Sequence, residues 1–281
     1  MDKDLPESIN QRLGSVIDSW VSWQPSLAAR PVVEKPLGGL TNNSYLIKDP
    51  VLNLALVIRL QTLDTGLLGL DWQRESLVLQ SVSQTNLTPQ IYHHDSQALV
   101  TRFVKGRLLS ASDRTPNNLS QLASAFRTIH DTPCPQVTQM VLTDECHRYF
   151  ANISQPRLKK DLTGLHAQIT ARIHTGLNAL QSLGLSDPCL CHHDLTPENL
   201  LLTSNGIQIL DWEYARQGNA VYDLAVFIET MGLDQTGETD FLNSYGISLP
   251  AHLMSNFRLA YRYLELLWWL ARQGDMNNHC R

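Results

Sequence analysis

The stretch from His192 to Asp211, HHDLTPENLLLTSNGIQILD, limits what this chain can fold into more than any other. Asp194 lies two residues after His192 and five before Asn199, so one short loop can aim a carboxylate and an amide oxygen into a small volume. Beyond Asn199 the chain runs apolar through Leu200, Leu201 and Leu202, turns at Ser204-Asn205-Gly206, and returns through Ile207, Ile209 and Leu210 to Asp211. Apolar runs flanking an Asn-Gly pair predict a β-hairpin. Such a hairpin carries Asp211 back beside Asn199.

Hard oxygen ligands of this kind suit magnesium, which takes one or two protein carboxylates and completes its octahedron with water and phosphate. Asn199 and Asp211 are the expected metal ligands. Asp194 is then free to orient a reacting hydroxyl and accept its proton. Positioning and charge neutralisation are most of what phosphoryl transfer asks of a protein. A lone His-x-Asp with an Asn five residues on is commonly an accident of loop composition. Here a second carboxylate arrives by hairpin and a third, Asp223, follows.

The loop and its second aspartate resemble the catalytic loop and metal aspartate of the protein-kinase-like superfamily. More narrowly, the chain is similar to the small-molecule branch: choline and ethanolamine kinases, thiamine kinase and aminoglycoside phosphotransferases. His193 stands where protein kinases carry Arg, and Trp212-Glu213-Tyr214 replace their Phe-Gly. The LDWEYA run and Tyr222-Asp223-Leu224 are similar to the choline and thiamine kinase pattern. The resemblance implies an α+β, protein-kinase-like two-lobe fold with a small antiparallel-sheet N-terminal lobe and a larger helical C-terminal lobe. It implies ATP and Mg2+ as cofactors, Asp194 as catalytic base, His192 as a hydrogen-bonding brace of the loop, and Asp223 as a brace from a following helix.

Upstream, LGGLTNNSYLI at 37–47 places Gly38 and Gly39 in a turn where backbone N–H groups could approach phosphate. The same residues would also serve an ordinary hairpin loop, and it is their likeness to the Gly-Gly-Leu-Thr-Asn stretch of choline kinases that marks them for nucleotide. The apolar strand Leu54–Leu60 carries one cation, Arg59, where protein kinases place a phosphate-binding Lys. Arg here fits the narrower family, and its fork geometry suits phosphate or carboxylate. Its expected partner is Glu75, on a helix beginning near Asp71 with Trp72, Leu79 and Val82 on its apolar side. A strand at Gln90–Tyr92 and another over Ala98–Val104 follow, stopped by Lys105-Gly106. In the resembled family this stop is the hinge that hydrogen-bonds adenine, which puts the base near Phe103 and Val104.

A chain of 281 residues exceeds the size at which one core usually divides. The expected lobes are 1–105 for nucleotide and 106–281 for catalysis and substrate. In the second, Leu119, Leu122, Phe126 and Ile129 form one helical stripe. Leu158, Leu162, Leu165, Ile169, Ile173, Leu177 and Leu180 form another, ending at Gly184. Ile9, Leu13, Val16, Ile17 and Trp20 suggest an N-terminal helix. No apolar run reaches the roughly 18 residues of a membrane helix, and the acidic start MDKDLPESIN does not suit a secretory signal. Cys189 and Cys191 read as reduced thiols on a strand entering the loop, and a metal role for His192 or His193 is not expected. The chain reads as cytoplasmic, with no membrane partner. No heptad seam or repeat marks a subunit interface.

Between His192 and Asp234 seven acids face a single base, Arg216. That surplus favours a cationic acceptor and argues against nucleic acid. On the C-terminal helix Tyr261, Glu265 and Trp268 share a face and Trp269 lies on the next, where either core packing or an aromatic cage for a cation is consistent. The resemblance favours the cage, and by matching choline kinases it adds Glu213, Tyr214 and Glu229 to Trp268 and Trp269 as substrate residues. The implied reaction is phosphorylation of a small cationic alcohol, choline or ethanolamine first and thiamine next. An aminoglycoside fits less well. A nucleotide-binding module that no longer catalyses is the alternative from another class, with all three acids present against it.

Overall fold

A computed structural model describes residues 9–23, 26–38, 43–61 and 69–276 of the protein. The expected nucleotide turn falls largely outside them: Gly38 closes the first strand opposite Ser44, and Gly39 is not described.

The N-terminal part begins with helices α1 (Ile9–Asp18) and α2 (Trp20–Trp23), followed by strands β1 (Val32–Gly38), β2 (Asn43–Lys48) and β3 (Ala55–Leu60). Helix α3 (Trp72–Val82) then precedes β4 (Ile91–His94) and β5 (Ala98–Arg102). The five strands form one antiparallel sheet in the order β1-β2-β3-β5-β4. Alternation along β3 decides what each face does. Leu56, Ile58 and Leu60 turn to one side and are fully buried with Leu13, Val16 and Ile17 of α1, which gives the N-terminal helix its role as a cover for the sheet. Arg59 therefore points to the other side, toward α3. Asp71 caps α3 by accepting from the N–H groups of Gln73 (2.9 Å) and Arg74 (3.2 Å), and so fixes the register that presents Glu75.

The rest of the described chain is mainly helical: β6 (Arg107–Leu108), α4 (Pro116–His130), α5 (Leu142–Ala151), α6 (Pro156–Ser182), β7 (Cys189–Cys191), β8 (Leu200–Thr203), β9 (Gly206–Ile209), β10 (Arg216–Gly218), α7 (Ala220–Met231), α8 (Gln235–Tyr245) and α9 (Ala251–Met276). Helix α7 is buried at every residue from Val221 to Ile228, as a helix apolar almost all round must be. It packs with α9 and β7, while α4 packs on α8 and both α5 and α6 pack on α9. A large hydrophobic cluster joins these helices and takes in Val78, Leu79 and Val82 of α3. No helix among the described residues is long and apolar enough to cross a membrane.

Several sequence expectations shift in detail. The hairpin forms, with Thr203 paired to Gly206, so the loop residues are Ser204-Asn205 and Gly206 already belongs to β9 at φ +114°. Strand β5 stops at Arg102, although the Phe103 N–H still donates to Ala55 O (3.0 Å). Leu165 is 41% exposed and His166 is buried in its place, because the stripe on α6 turns with the 3.6-residue period. Helix α9 is apolar in composition but has a wet side carrying Leu266 and Trp269.

Gly106 joins the sheet to the helical part with no room for a side chain. A Cβ there would lie 2.6 Å from Leu202 O and 2.8 Å from Leu201 Cγ. Gly106→Ala is expected to destabilise the fold by about 1–3 kcal/mol, as overpacking does, measured as a lowered urea midpoint at unchanged m-value.

Candidate active site

Strand β7 leads directly into the loop His192-His193-Asp194. His193 adopts φ +66°, a left-handed conformation that costs a non-glycine residue free energy and persists only where its surroundings enforce it. Asp223 enforces it. From the first turn of α7, with no exposed surface, its carboxylate accepts the N–H of His192 (2.7 Å) and of His193 (2.8 Å). Nε2–H of His130 donates to the same carboxylate (3.2 Å), and Nδ1 of His130 meets the Tyr245 hydroxyl at 2.7 Å. Burial alone would raise the Asp223 pKa, but the bond from His130 and the neighbouring imidazoles outweigh it and hold the group below the usual carboxylate range. The His193 ring packs against Gly218, where a Cβ would collide with it.

The next residues point the catalytic groups. His192 donates from Nε2 to Leu210 O (2.9 Å) and accepts the Asp194 N–H at Nδ1 (3.3 Å), so one tautomer ties the loop to the end of β9. Asn199 donates its amide to Asp194 Oδ2 (2.8 Å) and to Asp194 O (2.9 Å). The Leu210 N–H donates to Asn199 O (2.9 Å), which seats Asp211 beside Asn199 as the hairpin predicted. Burial and the field of Asp211 push the Asp194 carboxyl up to about 7, with Glu198 adding to the rise and the Asn199 bond opposing it.

Asp211, also left-handed at φ +61°, receives Arg59 Nη1 at Oδ1 (2.6 Å). Nη2 of Arg59 reaches both oxygens of Glu75 at 2.5 Å, so the expected Arg59–Glu75 pair forms and also reaches Asp211. Burial works against the guanidinium charge, yet Glu75, Asp211 and Glu213 together hold its pKa above the ordinary value. The donor set suits magnesium. Asn199 spends its NH2 on Asp194, which leaves its carbonyl oxygen for a cation, and Asp211 keeps 37% of its side chain exposed.

Aromatic side chains gather into a wall near Asp194. The Tyr214 hydroxyl accepts Trp268 Nε1–H (3.0 Å). Tyr214, Tyr222 and Tyr261 all lie within the field of the Asp194 carboxylate, and Tyr261 also feels Glu265, Glu198 and Glu229.

Residues 33–254 match the choline/ethanolamine kinase family along most of the chain's length. The chain belongs to the choline/ethanolamine kinase family. The solved choline kinase LicA from Streptococcus pneumoniae has the same fold, with a TM-score of 0.75 at 20% identity over 94% of this chain and 92% of that one. A probable choline kinase of Arabidopsis thaliana is 26% identical over 85% of this chain and 71% of its own length. The spectinomycin phosphotransferase APH(9)-Ia, solved with ADP and its substrate, is similar more distantly, with a TM-score of 0.60 at 15% identity over 93% of this chain and 87% of that one. The fold is α+β and protein-kinase-like, and the protein is a small-molecule kinase acting on a choline-like alcohol.

Not every expected substrate residue of this kinase reaches the aromatic wall. Glu213 is buried on the other side of its 3₁₀ turn (Trp212–Tyr214), with Oε2 3.9 Å from Arg59 Nη1, so its charge serves the arginine. Glu229 is bound by Arg258 at 2.7 Å and by Arg262, two cations of α9 that neutralise it. Trp269 is 43% exposed and meets the Trp268 ring in a T-shaped contact with centroids 4.9 Å apart, because one step along a helix turns the side chain by about 100°. Trp268 itself stays in place, one ring face covered by Arg272. Phe103 is 39% exposed and commits its N–H to Ala55 O, so that this donor is not available at the expected hinge. Tyr222 and Glu198 were not foreseen as groups within the field of Asp194. Tyr222 stands beside Asp223 and Glu198 beside Asn199, so adjacency to the loop was the available clue.

Two outcomes follow from this geometry. Asp223→Asn, with one oxygen where two successive N–H groups converge, is expected to stay folded, bind nucleotide normally and lose turnover in kcat; an unchanged kcat refutes the role of the anchor. Glu75 is held at about 2, because Arg59 and His94 overcome the effect of burial. Its contribution to stability is then complete above the unfolded value of about 4.3 and is lost as pH falls toward 2. The melting temperatures of Glu75→Gln and the parent should therefore converge between about pH 4.5 and 2.

Proposed function

We propose that this protein is an ATP- and magnesium-dependent kinase that phosphorylates the hydroxyl of a small cationic alcohol, with choline or ethanolamine as acceptor. The observation that carries the reading is the set of aromatic and acidic side chains near Asp194: Tyr214, whose hydroxyl accepts Trp268 Nε1–H, and Tyr261, with Glu198 and Glu265. Aromatic faces attract quaternary and primary ammonium groups, Trp most strongly. Glu198 and Glu265 have no ion-pair partner among the described residues, in contrast to Glu229, so their charge is free to favour a cation. Like charge from Glu198 and Glu229, after burial, raises the Glu265 pKa, an uncompensated field that a bound ammonium would relieve.

In this reading the ammonium end of the acceptor rests against the aromatic wall and its hydroxyl meets Asp194. Asp194 aligns the oxygen and takes its proton as the bond to phosphorus forms. Asn199 keeps that carboxylate from rotating away. Arg59 lies at the metal aspartate, braced by Glu75, where it can meet nucleotide phosphate. Asn199 and Asp211 would hold the magnesium, whose chemistry is to neutralise phosphate charge. Gly38, Gly39 and the Val104 backbone are assigned to the nucleotide on the family resemblance.

Steady-state turnover with magnesium-ATP against choline, ethanolamine, thiamine and kanamycin tests the assignment. The highest kcat/KM is expected for choline or ethanolamine. A preference for thiamine, the second reading raised by the LDWEYA run, moves the acceptor while leaving the enzyme class intact; ATP binding with no turnover on any acceptor sinks the kinase reading for this chain. Asp194→Asn should lower kcat by about 10²–10⁴ with ATP affinity retained. Trp268→Ala should raise the acceptor KM by about 2- to 30-fold, the value of one cation–π contact.

A further inference from the structure

Strand β7 carries two thiols on one face, because residues two apart on a strand point the same way. Cys189 Sγ and Cys191 Sγ are 3.7 Å apart, and α4 brings His130 to them from 59 positions upstream of Cys189, so that one ligand atom from each residue lies within 4.8 Å of the others. A tetrahedral centre with metal–sulfur bonds of about 2.3 Å holds its sulfurs about 3.8 Å apart. The thiols already stand at that separation.

We propose that Cys189, Cys191 and His130 form a binding site for a soft divalent cation of the zinc class, directly behind the catalytic loop. Cys191 and His130 are buried and Cys189 is half-buried, so the ion enters from the Cys189 side and keeps a fourth position there for water. Both thiols lose their protons to solvent as the two metal–sulfur bonds form. A disulfide fits the strand less well. Cα atoms two apart on a strand are about 6.6 Å from each other, near the upper limit of about 6.8 Å for a bridge, whereas the metal requires no movement of the backbone.

The site is coupled to catalysis through His130. Both of its ring nitrogens are engaged, one by Tyr245 and one by Asp223. Ligation takes one of those bonds and places a cation near the carboxylate that anchors His192 and His193. Zinc binding therefore slows phosphoryl transfer, and binding itself is independent of which alcohol is the acceptor.

Cobalt(II) titrated into the reduced full-length chain without nucleotide is the test. The expected result is a thiolate-to-cobalt charge-transfer band in the near ultraviolet, bleached by zinc, with two thiols protected from a thiol reagent. Cys189→Ser changes a half-exposed strand residue outside the catalytic machinery. It should keep magnesium-ATP turnover in the presence of a chelator, lose about tenfold or more in cobalt affinity, and resist inhibition by zinc. A cobalt spectrum without thiolate character, or equal cobalt affinity in parent and variant, overturns the site. Loss of both thiols to a peroxide-formed disulfide in a protein that retains no metal overturns it in favour of a redox pair. Equal zinc inhibition of parent and variant overturns the coupling.

Discussion

The architecture depends on one carboxylate holding two consecutive backbone amides. Asp223 is fully buried, and an unpaired charge at that depth would be prohibitively unfavourable. Three donors answer it: the N–H groups of His192 and His193 and the ring of His130. The same bonds hold His193 in a left-handed conformation, which turns the chain so that Asp194 faces the cleft. Burial of α7 in the hydrophobic core thus becomes a fixed direction for the Asp194 side chain. The α7 helix can do this because Asn219 caps its start by accepting the Val221 N–H at 2.9 Å, placing Asp223 in the first turn.

A second link spans the two hydrophobic clusters. Arg59 leaves the sheet on the face opposite Leu56 and Ile58, joins Glu75 on α3, and reaches Asp211 at the end of the β8–β9 hairpin. Three acids around one buried guanidinium keep it charged despite desolvation. A lysine, as a point charge, could not make the bidentate contact with Glu75 and still meet Asp211. Asp211 is in this way positioned by the sheet as well as by its own hairpin.

Much of this was legible in local pattern. The hairpin, the Asp71 cap of α3 and the end of α6 at Gly184 follow from turn chemistry, capping and periodicity, which act over a few residues, whereas the Arg59–Glu75 pair was implied by the family resemblance. Other features were decided by residues distant in sequence. Glu213 looked free until the 3₁₀ turn pointed it at Arg59, 154 positions away in sequence. Glu229 looked like an acid for a cation until α9 brought Arg258 and Arg262 to it. Tyr222, next to the anchor in sequence, is buried with its ring against His193.

The sequence by itself determined the chemistry: which oxygens can meet a metal, which carboxylate can take a proton, and which strand and helix carry the supporting ion pair. Spacing along a loop or hairpin is a local property, so the order of residues suffices. Only the tertiary structure decided which acids are paired with arginines and which aromatic rings lie near Asp194. It also decided that His130 would lie between the anchor Asp223 and the thiols of β7. Those outcomes depend on burial and on charges from helices far apart in the chain, and neither is written in any one segment.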